Sequence, residues 1–170
     1  MPTPAENLTE IRRVLSIDSR TQADLLYAYA VIVEELRDRG LCRTKNNPVS
    51  GYCEWLVSSR FNLTLQVNSN TGYDATDGSG VRYEIKARRV TPGNPSLQLS
   101  VIRGLQQKHF DYLFAVIFEA DFSIRYAAKI PHLVVTKYAA YREGVNGHVL
   151  CLRRNILECP EVEDITGALA

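Results

Sequence analysis

The chain has 170 residues, of which 45% are hydrophobic and 23% charged, and its net charge is +1. These ordinary globular values exclude intrinsic disorder and fibrous architecture for the chain as a whole, and the length predicts a single domain. The longest apolar run, Tyr112 to Phe118, is far shorter than the roughly 20 residues of a membrane-spanning helix. The first 13 residues lack the pattern of a secretory signal peptide. We therefore expect a cytoplasmic protein with no membrane partner.

The first 60 residues show helical periodicity. Thr3 to Glu6 fits a capping box at the start of a first helix, and Ser19 with Gln22 fits a second one. Gly40 is expected to end the second helix, and Asn47-Pro48 to begin a third. The second helix carries an apolar stripe of Leu25, Leu26, Tyr29, Ile32, Val33 and Leu36, and the third a buried stripe of Val49, Tyr52, Cys53, Leu56 and Val57.

The periodicity then changes to two, which is typical of strands. Apolar residues alternate from Phe61 to Val67, a short strand follows at Tyr73 to Thr76, and Asp77 to Gly80 forms a turn. The next strand is expected at Val81 to Ala87. Its side chains alternate, so that Val81, Tyr83 and Ile85 face one way and Arg82, Glu84 and Lys86 the other.

The second half contains a continuous apolar run at Tyr112 to Phe118, which is typical of a strand covered on both faces. Ile124 to Ile130 is its expected neighbour, and the ambiguous segment Ser96 to Lys108 is assigned a helix. The last elements are a helix near Leu133 to Tyr141, a strand near His148 to Leu152 and a helical turn around Val162 to Leu169. This order predicts a mixed α/β fold with helices on both faces of a central sheet.

Charge is unevenly distributed along the chain. The segment from Arg82 to Lys108 holds six basic residues and one acidic residue, and the segment from Arg37 to Lys45 holds four basic residues and one acidic residue. The tail from Glu158 is acidic. Segregation of this kind favours a positive face that attracts nucleic acid, but solvated charge runs give the same pattern. The four cysteines form no C-x-x-C pair or zinc-finger spacing, so we expect reduced thiols.

Two carboxylates and a lysine fall on adjacent predicted strands joined by the turn. Magnesium prefers oxygen ligands, and Asp74, Glu84 and the backbone carbonyl of Ile85 could hold one ion. Lys86 shares a face with Glu84 and could orient or help deprotonate a water, which is a physical recipe for phosphodiester hydrolysis. The alternative is structural: Asp74 serves the turn, and Glu84 and Lys86 form a solvated pair.

The spacing of Asp74, nine residues, and then Glu84-Ile85-Lys86 resembles the PD-(D/E)XK nuclease superfamily, also called the restriction-endonuclease-like fold. The order of elements is similar to that superfamily's core, and the stretch from Gly51 to Leu113 looks like its small bacterial members. The resemblance covers roughly residues 47–131, between an N-terminal helical extension at 1–46 and a C-terminal elaboration at 132–170. It implies that Glu54, on the preceding helix, contributes to a second ion.

The resemblance also implies a magnesium-dependent endonuclease that cleaves DNA, with manganese as a substitute, no organic cofactor and a possible homodimer. Asp74, Glu84, Lys86 and Glu54 would be catalytic. Candidate nucleic-acid-binding residues are Arg88, Arg89, Arg43, Lys45, Gln98 and Arg103. His109, before an apolar strand, is interpreted as a capping or surface residue.

Two rival functions remain open. One is a DNA-binding or assembly module that keeps the fold without turnover, and the near-zero net charge is a feature in its favour. The other is a protein unrelated to nucleic acid in which Glu84 and Lys86 are a structural pair. A geometric condition applies to the nuclease interpretation: Asp74 shares a face with Glu84 and Lys86 only if its partner across the hairpin is even-numbered, which needs a turn of odd length or a bulge.

Overall fold

A computed structural model describes residues 4–44, 47–67 and 72–169. The chain divides into two compact units, Met1–Pro48 and Val49–Ala170. Among the described residues, no helix has both the length and the apolar character needed to cross a membrane.

The first unit contains helix α1 (Pro4–Val14), a 3-10 turn (Ile17–Ser19) and helix α2 (Gln22–Asp38). The capping box of α2 is formed by Thr21 and Asp24, so the prediction of Ser19 with Gln22 is wrong. Ser19 is taken up by the 3-10 turn, and Thr21 is the residue in the extended conformation that an N-cap requires. The capping box predicted at Thr3 lies outside the described residues.

Helix α2 ends as predicted at Gly40. Its φ of +73° is a left-handed conformation that glycine adopts without strain, and Leu41 N donates to Leu36 O at 2.9 Å. The predicted apolar stripe of α2 is mostly uncovered, because Val33 is buried but Leu26 and other members of the stripe are exposed.

The second unit is a mixed α/β structure around a six-stranded sheet flanked by helices. Its helices are α3 (Pro48–Phe61), α4 (His132–Tyr138), α5 (Arg154–Leu157) and α6 (Thr166–Leu169). The sheet strands are β1 (Thr64–Leu65), β2 (Ala75–Thr76), β3 (Arg82–Arg89), β4 (Tyr112–Phe118), β5 (Ile124–Pro131) and β8 (Glu163–Asp164), in the order β1-β2-β3-β4-β5-β8. A separate hairpin pairs β6 (Ala140–Arg142) with β7 (Gly147–Val149).

The sheet is antiparallel except for β3 and β4, which run parallel with Glu84 opposite Leu113. Alternation along β3 and β4 divides the core into two apolar clusters, one on each face. Helices α3 and α6 cover the face that holds Ile85 and Phe114. Helices α4 and α5 cover the face that holds Leu113 and Ala115. The run at β4 is buried on both sides, as predicted.

The largest difference from prediction is the segment Ser96–Lys108, which is extended rather than helical. Gln98 pairs with Cys151 and Ile102 with His148, and only Leu105–Gln107 forms a 3-10 turn. The alternation of apolar and polar residues from Leu97 to Val101 is the period of an extended segment, and the sequence analysis gave it too little weight. The four cysteines are free thiols.

Candidate functional site

The hairpin between β2 and β3 decides which way Asp74 points. Ala75 pairs with Tyr83 and Thr76 with Arg82, and Asp77 N donates to Val81 O at 3.2 Å across the turn. Residues 78–80 lie between Asp77 and Val81, so the turn has the odd length that the geometric condition requires. The paired register, however, ends at Ala75 with Tyr83 and does not include Asp74.

Regular pairing of the hairpin stops at Asp74. Its N–H donates to Tyr83 O at 2.8 Å, and its side-chain Oδ2 accepts from Ile85 N at 2.7 Å. The carboxylate therefore takes the place that the next backbone carbonyl of β2 would hold if the strand continued. Sequence and local geometry together hold an acidic group against the middle of β3, immediately beside Glu84.

Glu84 and Lys86 form an ion pair on the same face of β3. The pair is largely covered, since the side chains are 12% and 17% exposed, respectively. Burial raises the pKa of Glu84, the charge of Asp74 raises it further, and Lys86 opposes both effects. Burial on its own would lower the pKa of Lys86, but the charges of Glu84 and Asp74 outweigh it, so that this pKa is raised and the ammonium stays protonated.

Glu54 reaches the same cluster from another element. It lies on α3, which packs on the opposite face of the sheet, yet its charge raises the pKa of both Glu84 and Lys86. The structure thus brings Asp74, Glu84 and Lys86 together and places Glu54 close enough for its charge to act on them. Asp74 and Glu84 therefore place two carboxylates beside the ammonium of Lys86.

The carboxylates of Asp74 and Glu84 suit a hard cation, although the described residues form no complete set of metal ligands. Within residues 4–44, 47–67 and 72–169, no three His, Cys, Asp or Glu side chains are grouped closely enough to form a metal centre. Asp74 nevertheless uses only Oδ2 in a hydrogen bond among the described residues, and Glu84 uses only Oε1 in its ion pair. Carboxylate oxygens are the ligands that magnesium and manganese prefer in proteins.

An open cavity of about 490 Å³ lies directly beside the ion pair. Glu84 and Lys86 form part of its wall, and the rest of its lining is formed by Gly72, Val101, Arg103, Gly104, Gln107 and His109. The sequence analysis missed this role of His109. The signal for it is the pair of glycines: Gly72 and Gly104 both have positive φ, and a Cβ at either position would crowd the His109 ring.

The predicted phosphate contacts from β3 separate onto two faces. Arg88 follows Lys86 on the same face by alternation, and its Nε is buried without a hydrogen-bond partner in the part of the chain that the structure describes. Arg89 points to the other face, where its guanidinium donates to Ala120 O and lies 4.7 Å from the centre of the Phe122 ring.

The remaining predicted contacts are scattered. Arg103 is exposed and lines the cavity beside Glu84 and Lys86. Gln98 lies elsewhere in the second unit, paired with Cys151. Arg43 belongs to the first unit, and Lys45 lies outside the described residues.

The sequence was compared with protein-family models and with curated proteins. No protein-family model matches the chain, and no curated protein is similar enough to count as a relative. A function for this chain is therefore inferred from the geometry and charge of the site.

Proposed function

We propose that this protein is a metal-dependent endonuclease that hydrolyses phosphodiester bonds in DNA, built on a restriction-endonuclease-like core. The observation that carries the proposal is the cluster of Glu54, Asp74, Glu84 and Lys86 at the point where β2 stops. Buried charge of one dominant sign is expensive to maintain, and such arrangements concentrate at functional sites. The adjoining cavity leaves room for a substrate to reach the cluster.

Asp74 and Glu84, with the Ile85 carbonyl, would hold a magnesium ion, and Glu54 would contribute to a second one. When bound, such an ion polarises a phosphoryl oxygen and lowers the pKa of a coordinated water. The hydrogen bond from Ile85 N to Asp74 fixes one carboxylate, so the site is partly organised before any ligand arrives.

Lys86 is placed to position the attacking water. Its pKa is raised by the surrounding carboxylates, so it acts as a hydrogen-bond donor and a positive charge, not as the free base. Its ion pair with Glu84 holds the ammonium on the cavity wall. From there it can orient a water and stabilise negative charge that develops on the phosphate.

Arg103 and His109 line the same cavity and would be available to a phosphate that enters it. An arginine contacts phosphate oxygens through paired N–H groups, which fixes the register of a DNA strand without reading its sequence. His109, held between two glycines, would add a hydrogen-bond donor on that side.

The ion pair itself favours a second candidate. A Glu84–Lys86 pair that needs no metal is what a protein retaining the fold without turnover would keep, and the described residues form no finished metal centre. This candidate is a DNA-binding or assembly module. It differs from the nuclease in one measurable respect, since it never cleaves.

A plasmid-cleavage assay with magnesium, manganese or EDTA distinguishes the two. The wild-type protein is expected to nick or linearise supercoiled DNA only with metal, and Lys86→Gln is expected to keep DNA binding and lose cleavage. Glu119→Gln, at an exposed carboxylate paired with Arg125, is the matched control and should cleave normally. Metal-independent binding without cleavage by the wild type would favour the assembly module.

The same assay tests the homodimer. One site per chain cuts one strand, so cutting both strands at one place calls for two chains. The ratio of linear to nicked plasmid should therefore rise with protein concentration. A ratio that does not change with concentration would contradict dimeric action.

A further inference from the structure

A second pocket, of about 370 Å³, lies in the second unit and shares no lining residue with the cavity beside Glu84 and Lys86. Val149, Cys151 and Ile156 contribute its more covered side. Its exposed polar side is formed by Ser96, Gln98, Arg142, Arg153 and Asn155. The segment 132–170, which the sequence analysis left without a role, supplies most of these residues.

The charge of this pocket has one sign. Two arginines line it, and no carboxylate does. Neither Arg142 nor Arg153 lies within ion-pair distance of an acidic group among the described residues, whereas Arg154 next in sequence places its Nε 2.6 Å from Glu158 Oε1. Both guanidinium groups can therefore bind an anionic ligand without first breaking an ion pair among the described residues.

The fold arranges these donors in advance. Arg142 is the last residue of β6 and pairs with Gly147, and the bridge between Gln98 and Cys151 fixes the neighbouring segment. Arg153 N donates to Cys151 O at 2.8 Å, which ties the backbone of the second arginine to the same bridge. Two parts of the chain, residues 96–98 and 138–156, thus converge through backbone hydrogen bonds, and the main chain of the pocket needs little ordering when a ligand binds.

We propose that this pocket binds a phosphate group. A guanidinium presents a rigid fork of N–H donors that matches phosphate oxygens, and the pocket adds the side-chain amides of Gln98 and Asn155. The apolar residues Val149 and Ile156 suit the sugar or carbon skeleton attached to that phosphate. A small phosphate compound and a nucleic-acid backbone present this same chemistry. The inference does not rest on the proposed nuclease activity.

The experiment measures the binding of two probes to the full chain in EDTA at one fixed salt concentration: pyrophosphate by calorimetry and a labelled single-stranded oligonucleotide by fluorescence anisotropy. Arg142→Gln/Arg153→Gln is expected to weaken at least one probe by about tenfold or more, as loss of two charge-assisted contacts requires. Arg154→Gln, at the neighbouring ion-paired arginine, is the matched control and should bind as the wild type does. Thermal unfolding checks that each variant is folded.

The probe that is affected identifies the source of the phosphate. A loss with pyrophosphate assigns a small phosphate compound, and a loss confined to the oligonucleotide assigns the nucleic-acid backbone. The proposal is overturned if the wild type binds neither probe, if the double variant binds both unchanged, or if Arg154→Gln loses as much affinity as the double variant. Because the readout is binding without metal, the result is independent of whether the Glu84 site cleaves DNA.

Discussion

Burial distinguishes the Glu84–Lys86 pair from the other ion pairs among the described residues. An exposed pair such as Arg39 with Glu35 contributes only about 0–1 kcal/mol. Glu84 and Lys86 are both largely covered, and removal of one partner leaves the other charge without its counter-ion in a mostly buried position. Such losses cost about 3–5 kcal/mol, which makes the pair a sensitive probe of the site.

We expect Lys86→Met to be destabilised by about 3–5 kcal/mol at neutral pH without metal, because Glu84 then lacks its positive neighbour. Glu84→Gln/Lys86→Met should recover most of that loss, since the variant leaves no charged member of the pair. Urea unfolding of the single and double variants measures both values. Equal destabilisation of the two variants would show that the pair is not electrostatically coupled.

Asp77 gives a test of the turn that sets the parity of the hairpin. It accepts hydrogen bonds from Ser79 Oγ at 2.7 Å and from Tyr83 Oη at 2.9 Å. These contacts lower the pKa of Asp77 from 3.8 to about 2. The hydrogen bond from the Ser79 hydroxyl is the largest cause, and those from the Tyr83 hydroxyl and from backbone N–H groups lower the pKa further.

A lowered carboxylate pKa stabilises the fold above the unfolded-state value, and the stabilisation is lost as the pH falls through the folded-state value. Asp77→Ala should therefore have a lower melting temperature than the wild type at neutral pH. The difference should narrow as the pH falls from 3.8 toward 2. Melting curves over this range measure it, and a difference that stays constant with pH would contradict the assigned hydrogen bonds.

Among the elements, two loops determine where His109 lies. Gly72 precedes β2 with a φ of +111°, and Gly104 has a φ of +62° next to the 3-10 turn Leu105–Gln107. A methyl group at Gly72 would overlap the His109 side chain. Both the conformation and the close approach therefore require glycine at this position.

We expect Gly72→Ala to lose roughly 1–3 kcal/mol of stability from backbone strain, with further loss from the overlap. In a His109→Ala background the overlap is gone, so the same substitution should cost less. A double-mutant cycle from denaturant unfolding isolates the difference. Additive effects in the cycle would mean that His109 does not lie against Gly72 in solution.

The elements with a strong local signal could be predicted from the sequence. The continuous apolar run of β4, the alternation of β3 and the glycine end of α2 each leave one physical solution, and the structure has all three. The position of Glu84 and Lys86 on one face of β3 could also be anticipated from strand alternation, whereas that of Asp74 depends on the hydrogen bond from Ile85 N to its carboxylate.

The rest depends on contacts between distant segments. The alternation from Leu97 to Val101 indicates an extended segment, but its pairing with Cys151 and His148 is a contact that no local pattern shows. The position of His109 depends on two glycines more than 30 residues apart in the chain, and the approach of Glu54 depends on the packing of α3. The basic pocket around Arg142 and Arg153 joins two distant parts of the chain, so it could not be found from spacing alone.

At the scale of the whole molecule, a net charge of +1 gives no general attraction to DNA, so attraction must come from local groups. The basic segment from Arg82 to Lys108 is less uniform in the structure than in the sequence. Arg82 is paired with Asp111, and Arg89 is turned toward Ala120 and Phe122. Arg103 remains exposed at the cavity beside Glu84 and Lys86.

We therefore expect Arg103→Gln to weaken DNA binding for all sequences and to reduce the slope of log affinity against log salt by about 0.9, the value of one phosphate contact. Arg89→Gln is the matched control on the opposite face and should keep the wild-type slope. Fluorescence anisotropy over a salt series measures both. Equal slopes for all three proteins would remove Arg103 from the DNA interface.

The central claim is that Asp74 and Glu84 bind a divalent cation, and calorimetric titration with manganese tests it most directly. The wild type should bind manganese at a saturable site. Asp74→Asn and Glu84→Gln should each bind manganese about tenfold or more weakly, because each loses a carboxylate ligand. The control Glu119→Gln should bind manganese as the wild type does. No saturable binding by the wild type, or equal binding by all four proteins, would contradict the account.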